Sequence, residues 1–253
     1  MIKTVIIGFG NVGFHLAKAC KAAPEINLLQ IYNRSEVPQL LQNEFAVDFT
    51  TSFESLQEAD VYLIAVKDDV VEKLANQIPF TDKIIAHTSG SLDLLATKKQ
   101  DAVFYPLQTF SKNKKLNYEN IPFCLEAEKA ESYAVIEKMA KSISTKVYSI
   151  STPQRQQLHL SAVFVCNFVN HLYTIGEEIC KNHQIPFEIL STLIEETAEK
   201  IKTLSPVEAQ TGPALRQDNK TLERHLKQLE KTNYQELYQQ LTNSIAKKHG
   251  NQL

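Results

Sequence analysis

A strand-like apolar run, Ile2–Ile7 (IKTVII), leads directly into Gly8-Phe9-Gly10-Asn11-Val12-Gly13, and Phe14, Leu16, Ala17 and Ala19 then recur at helical spacing. A G-x-G-x-x-G run between strand and helix constrains the chain to a βαβ unit built around a dinucleotide. Gly8 permits the tight turn, Gly10 lets the backbone approach a pyrophosphate, and Gly13 lets helix and strand pack closely. The diphosphate then rests on the exposed N–H groups and positive dipole end of the helix. All six residues, Gly8, Phe9, Gly10, Asn11, Val12 and Gly13, are therefore candidate cofactor ligands.

The second strand, Ile26–Tyr32, ends at Asn33-Arg34-Ser35, about twenty residues beyond Gly13. A site for NAD usually places Asp or Glu here, on the adenine-ribose 2′-hydroxyl. This chain has a neutral amide, a guanidinium and a hydroxyl instead. A carboxylate would repel a 2′-phosphate, whereas Arg34 can pair with one bidentately. The expected cofactor is NADP(H) rather than NAD(H), with Asn33, Arg34 and Ser35 around the ribose. The other reading of Arg34 is a solvated turn residue, and Glu36 weakens the local positive charge.

The chain has 253 residues and a formal charge of −2, enough for two domains and too neutral to attract nucleic acid. Strand candidates at Ile2–Gly8, Ile26–Asn33, Val61–Val66, Lys83–His87, Val103–Tyr105, Phe123–Glu126 and Lys146–Ile150 alternate with helix candidates at Asn11–Ala22, Val37–Glu44, Val70–Gln77, Leu92–Lys98 and Lys129–Ser142, with one more short strand near Val47–Phe49. Such alternation predicts an α/β fold with a doubly wound, mostly parallel sheet. After Ser151-Thr152-Pro153, where Thr152 can cap a helix, the remainder reads as helix only: Gln154–Asn182, Phe187–Leu204, Asn219–Lys231 and Tyr234–Lys248. The expected domains are thus a dinucleotide-binding domain, 1–150, and an all-helical domain for substrate and dimerisation, 151–253. The apolar stretch Leu158–Ile175 carries His159, Ser161, Asn167, Asn170, His171 and Thr174, too many polar groups for lipid, so a buried interdomain helix is expected rather than a membrane span. Four dispersed cysteines read as reduced thiols of a cytoplasmic protein, and with the first strand starting at Ile2 no secretory leader is expected. No compact ligand cluster suggests a metal. The basic stretch Lys112–Lys115 reads as a solvated loop.

The motifs IGFGNVG (Ile7–Gly13), YNRS (Tyr32–Ser35) and IAVKDD (Ile64–Asp69) resemble the dinucleotide domain of pyrroline-5-carboxylate reductases and of 6-phosphogluconate- and β-hydroxyacid-dehydrogenase-like enzymes. They also resemble the NADP-binding domain of deazaflavin-dependent NADP reductases. Over nearly the whole chain, HTSGS (His87–Ser91), VFYPLQTFSK (Val103–Lys112), IPFCLEA (Ile121–Ala127), LHLSAVFVCNFVNHLY (Leu158–Tyr173) and QTGPALRQDN (Gln210–Asn219) resemble a bacterial family that joins a Rossmann-like NAD(P)-binding domain to a helical C-terminal domain of uncharacterised function. The resemblance implies an NADP-dependent oxidoreductase, a small-molecule substrate and a homodimer formed through the helical domain.

Ligands in such sheets bind beyond the carboxyl ends of the strands, near the switch in strand order. Ala65-Val66-Lys67, His87-Thr88-Ser89-Gly90 and Tyr105–Thr109, with Gln108, should meet there. The reductase resemblance implies that Val66 and Lys67 border the nicotinamide ribose and that Ser89 and Gly90 hold a substrate carboxylate. An equally open reading makes His87–Ser91 a helix-entry turn capped by a hydroxyl. At 100° per residue, His159, Asn167, Asn170, His171 and Thr174 share an arc of roughly 120°, opposite Phe164, Phe168 and Leu172. That polar stripe could line a cleft, face solvent or sit in a dimer interface. The resembled dehydrogenases carry a catalytic Lys four residues before an Asn on this helix, but here Val163 precedes Asn167. His171 is the candidate acid, Asn167 and Asn170 the candidate groups that orient a carbonyl or imine, and His87 and Ser89 further catalytic candidates. Thr211 and Arg216, in the Gln210–Asp218 turn, are candidate substrate contacts. The leading reading is hydride transfer between nicotinamide and a carbonyl or imine carbon. A non-catalytic dinucleotide sensor and a deazaflavin-linked reductase are the alternatives.

Overall fold

The computed structural model describes residues 1–97 and 99–250. Eight strands form one sheet in the order β3-β2-β1-β4-β5-β6-β7-β8. The strands are β1 (Ile2–Ile7), β2 (Ile26–Tyr32), β3 (Asp48–Thr50), β4 (Val61–Ile64), β5 (Ile84–His87), β6 (Gln100–Pro106), β7 (Phe123–Ala127) and β8 (Val147–Ser149). Every neighbouring pair is parallel except β6 and β7. The helices of this part are α1 (Asn11–Ala22), α2 (Gln39–Phe45), α3 (Asp68–Gln77), α4 (Ala130–Ile143) and the start of a long run, α5 (Thr152–Ala162). β4 and β5 are buried at all their positions because helices cover both faces of the sheet. α1 buries the expected Phe14, Leu16, Ala17 and Ala19 together with Gly13, His15 and Cys20. The winding reverses between β1 and β4, which places the ligand crevice at their carboxyl ends.

Two segments depart from expectation. Leu92–Thr97 is not helical, and Lys98 lies outside the described residues. The carbonyls a helix would need are drawn elsewhere: Arg155 donates to that of Leu92 from Nη1 (3.0 Å) and Nη2 (2.8 Å), and the His87 ring donates to that of Asp93 (3.1 Å). At the start of α5 the cap is Ser151, one residue before the expected Thr152. The Thr152 hydroxyl and N–H instead both donate to the Glu126 carboxylate (2.7 and 2.9 Å).

The chain divides into two compact units, Met1–Phe164 and Val165–Leu253, so α5 packs with the sheet although strands give way to helix at Ser151. The second unit holds α6 (Val169–Asn182), a 3-10 turn at Phe187–Leu190, α7 (Ser191–Lys200), α8 (Asn219–Leu229) and α9 (Gln235–Lys248). α7 stops short of the expected Leu204, and Asp218 caps α8 by accepting from the Thr221 N–H (3.1 Å). The helical run Thr152–Asn182 is long and apolar enough to cross a membrane by length and composition, and only 6% of its apolar window is buried. The expected burial of this helix is therefore corrected: Phe164 and Val165 are more than half exposed, and Leu172 and Tyr173 more than a third. The run is also irregular. Val163–Phe168 is π-helical, so spacing of 100° per residue does not carry through it.

Candidate active site

The glycine turn is held open by neighbours that satisfy its outer atoms. Gly8 has φ +103°, a conformation natural to glycine, and a Cβ there would overlap the Ala65 carbonyl and the Val66 side chain. A Cβ on Gly13 would overlap the Gly8 carbonyl, so helix and turn touch backbone to backbone. Gly10 differs. A Cβ built on it meets no atom within 4 Å, and Gly10 caps α1 with no side-chain hydrogen bond and no acidic residue in the first turn. The helix thus starts with open N–H donors and free space in front of them, which is the cradle a diphosphate fits.

The turn is anchored from three directions. The Gly8 N–H donates to the Tyr32 carbonyl (2.8 Å), and the Phe9 N–H to Asn33 Oδ1 (3.2 Å). Asn33 Nδ2 donates in turn to the Ser35 carbonyl (2.7 Å), so its amide ties β2 to the turn and holds the Arg34 loop in shape. Lys112 Nζ donates to the Phe9 carbonyl (2.7 Å) and lies 4.9 Å from the Phe9 ring centre. Lys112 is half-buried rather than part of the solvated loop expected for Lys112–Lys115. Sequence reasoning missed it because it lies 103 residues from Phe9. His15, buried on α1, fixes the same loop: its Nδ1 is 2.9 Å from the Tyr118 hydroxyl and its Nε2 2.8 Å from the Ser111 carbonyl. Beside β2 a polar cavity of about 410 Å³ is lined by Asn33, Ser35, Glu36, Gln39, Thr50 and others. Arg34, between the lining residues Asn33 and Ser35 in sequence, is exposed and makes no ion pair or hydrogen bond among the described residues.

The turn after β5 is built differently. Thr88 donates through N–H (3.1 Å) and Oγ1 (3.2 Å) to the Ile64 carbonyl and so locks β5 to the end of β4. His87 is fully buried, accepts the Ser89 N–H at Nδ1 (3.2 Å) and donates from Nε2 to Asp93. Burial, helped by the Arg155 charge, pushes its pKa down to about 4. The neutral His87 ring, with both nitrogens bonded, thus acts as a strut of the turn. Ser89 Oγ accepts the N–H groups of Ser91 and Leu92 (both 3.1 Å), which makes it the cap rather than a free hydroxyl. Gly90 gives room to neighbouring side chains: a Cβ there would meet His159 Nδ1 at 2.6 Å and Tyr105 Cζ at 2.8 Å.

Arg155 lies fully buried beneath this turn, its guanidinium shared between the Leu92 carbonyl and the Glu126 carboxylate (3.2 Å). One helical turn further on, His159 Nδ1 is 3.1 Å from the Tyr105 hydroxyl. Of the other expected site residues, Lys67 and Gln108 are exposed in the first unit, and Gln108 Oε1 accepts the Thr109 N–H (2.8 Å). Asn167, Asn170, His171, Thr211 and Arg216 are exposed in the second unit.

The fold and the glycine cradle define a nucleotide-binding oxidoreductase, and comparison with known proteins agrees. Residues 3–89 match the family described as NADP oxidoreductase, coenzyme F420-dependent, and residues 121–245 match a domain of unknown function, DUF2520. A Bacteroides fragilis protein described as a candidate NADP oxidoreductase is 35% identical, over 99% of this chain and 98% of its own, with a TM-score of 0.89. A 1-pyrroline-5-carboxylate reductase of Streptococcus pyogenes shares the fold at 17% identity (98% of each chain, TM-score 0.65), as does a Myxococcus stipitatus imine reductase bound to NADP+ at 12% identity (98% of this chain, 95% of that one, TM-score 0.72). No curated protein is significantly similar. The chain belongs to the family of the Bacteroides fragilis protein and is an NADP-dependent oxidoreductase, its NADP oxidoreductase match preceding its DUF2520 match.

Proposed function

We propose that this chain is an NADP(H)-dependent reductase that delivers hydride to the carbonyl or imine carbon of a small polar substrate. The observation that carries the reading is the empty space before Gly10, faced by the uncapped start of α1. The backbone of Gly8–Gly13 would hold the diphosphate, and Lys112 would add positive charge beside it. Arg34, exposed and unpaired between the cavity residues Asn33 and Ser35, suits a 2′-phosphate. Bound there, the reduced nicotinamide supplies two electrons and a proton as hydride. Ala65, Val66, Lys67 and Thr88, at the ends of β4 and β5, border the half of the crevice that takes the nicotinamide. Likeness to pyrroline-5-carboxylate and imine reductases supports a C=N or C=O acceptor. His171 and Asn167 stay catalytic candidates from the polar stripe of their helix, and Asn170, Gln108, Thr211 and Arg216 stay candidates for substrate contacts.

The proposed partner is a second copy of this chain. Leu172, Ile189, Leu193 and Ile201 are exposed apolar side chains of the second unit, surface that oligomerisation normally covers. Sedimentation that returns only monomer removes it. The family description of residues 3–89 favours one further reading, hydride exchange with a deazaflavin. Calorimetric titration with NADPH and NADH, followed by loss of dihydronicotinamide absorbance against imines, carbonyls and a deazaflavin, separates these. NADPH should bind more tightly than NADH and be oxidised by the imine or carbonyl set. Oxidation by the deazaflavin alone selects the second reading, binding without oxidation selects a sensor, and no binding of either nucleotide rejects all three.

A further inference from the structure

We propose that His159 is the proton donor of this reduction and that Tyr105 positions its ring. The inference rests on the reductase reading above and adds the residue that handles the proton. Four parallel strands end side by side in the order β1, β4, β5, β6. The glycine turn follows β1, Ala65 and Val66 follow β4, Gly90 belongs to the turn after β5, and Tyr105 is the penultimate residue of β6. In a doubly wound sheet the β1–β2–β3 side takes the adenine half of the dinucleotide and the other side the nicotinamide half. His159 therefore stands over the nicotinamide half, its ring seated on Gly90 and against Tyr105.

The Gly90 contact is specific, because any side chain at residue 90 would strike the imidazole. Helix α5 is held in register by Arg155, buried one turn before His159, and by Gln156, whose Nε2 donates to the Ser91 carbonyl (2.9 Å) and Asp93 Oδ1 (3.0 Å). The ring is half-exposed, and Nε2 makes no hydrogen bond among the described residues. No other imidazole or hydroxyl of this region is as free: His87 has both nitrogens engaged, and Ser89 caps its turn. The ionisable groups around the pair are Tyr105 on β6, Cys124 and Glu126 on β7, Asp93 and His87 on the β5 side, and Arg155 on the helix itself. Burial pushes the Tyr105 hydroxyl up to about 12, so it stays protonated, and its oxygen accepts the Nδ1–H of the imidazolium.

The step balances as follows. The substrate carbon accepts hydride while the π electrons of its C=X bond move to X, where X is oxygen or nitrogen. X takes the proton from His159 Nε2, imidazolium becomes neutral imidazole, and the half-exposed ring regains a proton from water. A donor in this role must be coupled to the redox state of the nicotinamide, since the oxidised ring is cationic and opposes imidazolium.

That coupling can be read without a substrate. In ¹⁵N-labelled protein, the His159 imidazole resonances, assigned by their loss in His159→Gln, are titrated with NADP⁺, NADPH or 2′-phospho-ADP-ribose bound. The His159 midpoint should lie about half a pH unit or more lower with NADP⁺ than with NADPH. Calorimetric affinity for NADP⁺ should accordingly rise about threefold from low to high pH relative to NADPH, a difference absent in His159→Gln. In Tyr105→Phe the Nδ1 resonance should lose its hydrogen-bond shift while NADPH affinity is kept. Equal midpoints with NADP⁺ and NADPH both bound would overturn the donor role and leave the reductase reading intact. An unchanged Nδ1 resonance in Tyr105→Phe overturns the positioning role. Failure of both dinucleotides to bind overturns the reductase reading itself, and this inference with it.

Discussion

The turns after β1 and β5 end at the same edge of one sheet, yet they are opposites. Gly8–Gly13 has hardly a polar side chain, and its centre is open: Gly10 faces empty space and α1 begins uncapped. His87–Ser91 is rich in hydroxyl and imidazole, and its polar atoms are turned on one another, on Ile64 and on Asp93. The comparison teaches that a ligand site shows as unmet hydrogen-bonding capacity, not as a high count of reactive side chains. A buried polar turn that satisfies itself has little left to offer a ligand; a glycine turn that cannot do so keeps its donors open to one.

The largest effect that would break this contrast lies within the first turn. Gly13→Ala must push a methyl into the Gly8 carbonyl, with no flexible side chain to yield. It should cost on the order of 3 kcal/mol or more in urea unfolding. Gly10→Ala has room in the protein, so its stability should stay within about 1 kcal/mol of the parent. Its NADPH affinity should nevertheless drop at least about tenfold, because the methyl occupies the diphosphate's place. Equal behaviour of the two variants would show that Gly10 faces no ligand.

The second turn is tested by acid. His87 is held neutral, with its pKa lowered from 6.5 to about 4. Below pH 6.5 the unfolded chain takes up a proton that the folded chain refuses, so stability falls as pH drops through that range and levels off below about pH 4. The full loss is about 3 kcal/mol. Urea midpoints of the parent should therefore slope downward over this window more steeply than those of His87→Gln, which does not titrate. Parallel slopes would mean that the ring is hydrated and that the turn is less closed than its hydrogen bonds indicate.

Local pattern made much of this legible. The glycine turn, the strands around it and the mostly parallel, doubly wound class of the sheet follow from period-two and period-3.6 apolar spacing and from the position of each glycine. What the pattern missed depends on contacts between distant residues. Leu92–Thr97 has helix-like composition, but Arg155 and His87 draw off its carbonyls from 63 and 6 residues away. Lys112 looks like one lysine among several until the loop carrying it folds onto Phe9. The polar stripe around His171 assumed an unbroken α-helix, and the π-helical stretch at Val163–Phe168 shifts its phase. No periodicity marks such a stretch in advance, and the pairing of Tyr105 with His159 depends equally on where that helix begins.

The smallest expected effect sharpens the comparison at the outer rim of the open turn. Arg34 is exposed, and charged pairs in water are weak, so its removal should not touch stability measurably. Its contribution is discrimination. A guanidinium facing a 2′-phosphate makes charge-assisted bonds that a 2′-hydroxyl cannot replace, and the nearby Glu36 would repel the phosphate once that guanidinium is gone. Arg34→Ala should therefore weaken NADPH about tenfold, close to 1.4 kcal/mol, and leave NADH almost unchanged. The NADPH loss should shrink as salt is raised, since the contact lies at the surface. A loss shared equally by both nucleotides would mean that Arg34 supports the loop rather than reads the phosphate. Selectivity for NADP(H) would then have to come from Lys112 or from the neutral Asn33 position, and Lys112→Ala with NADPH and NADH would decide between them.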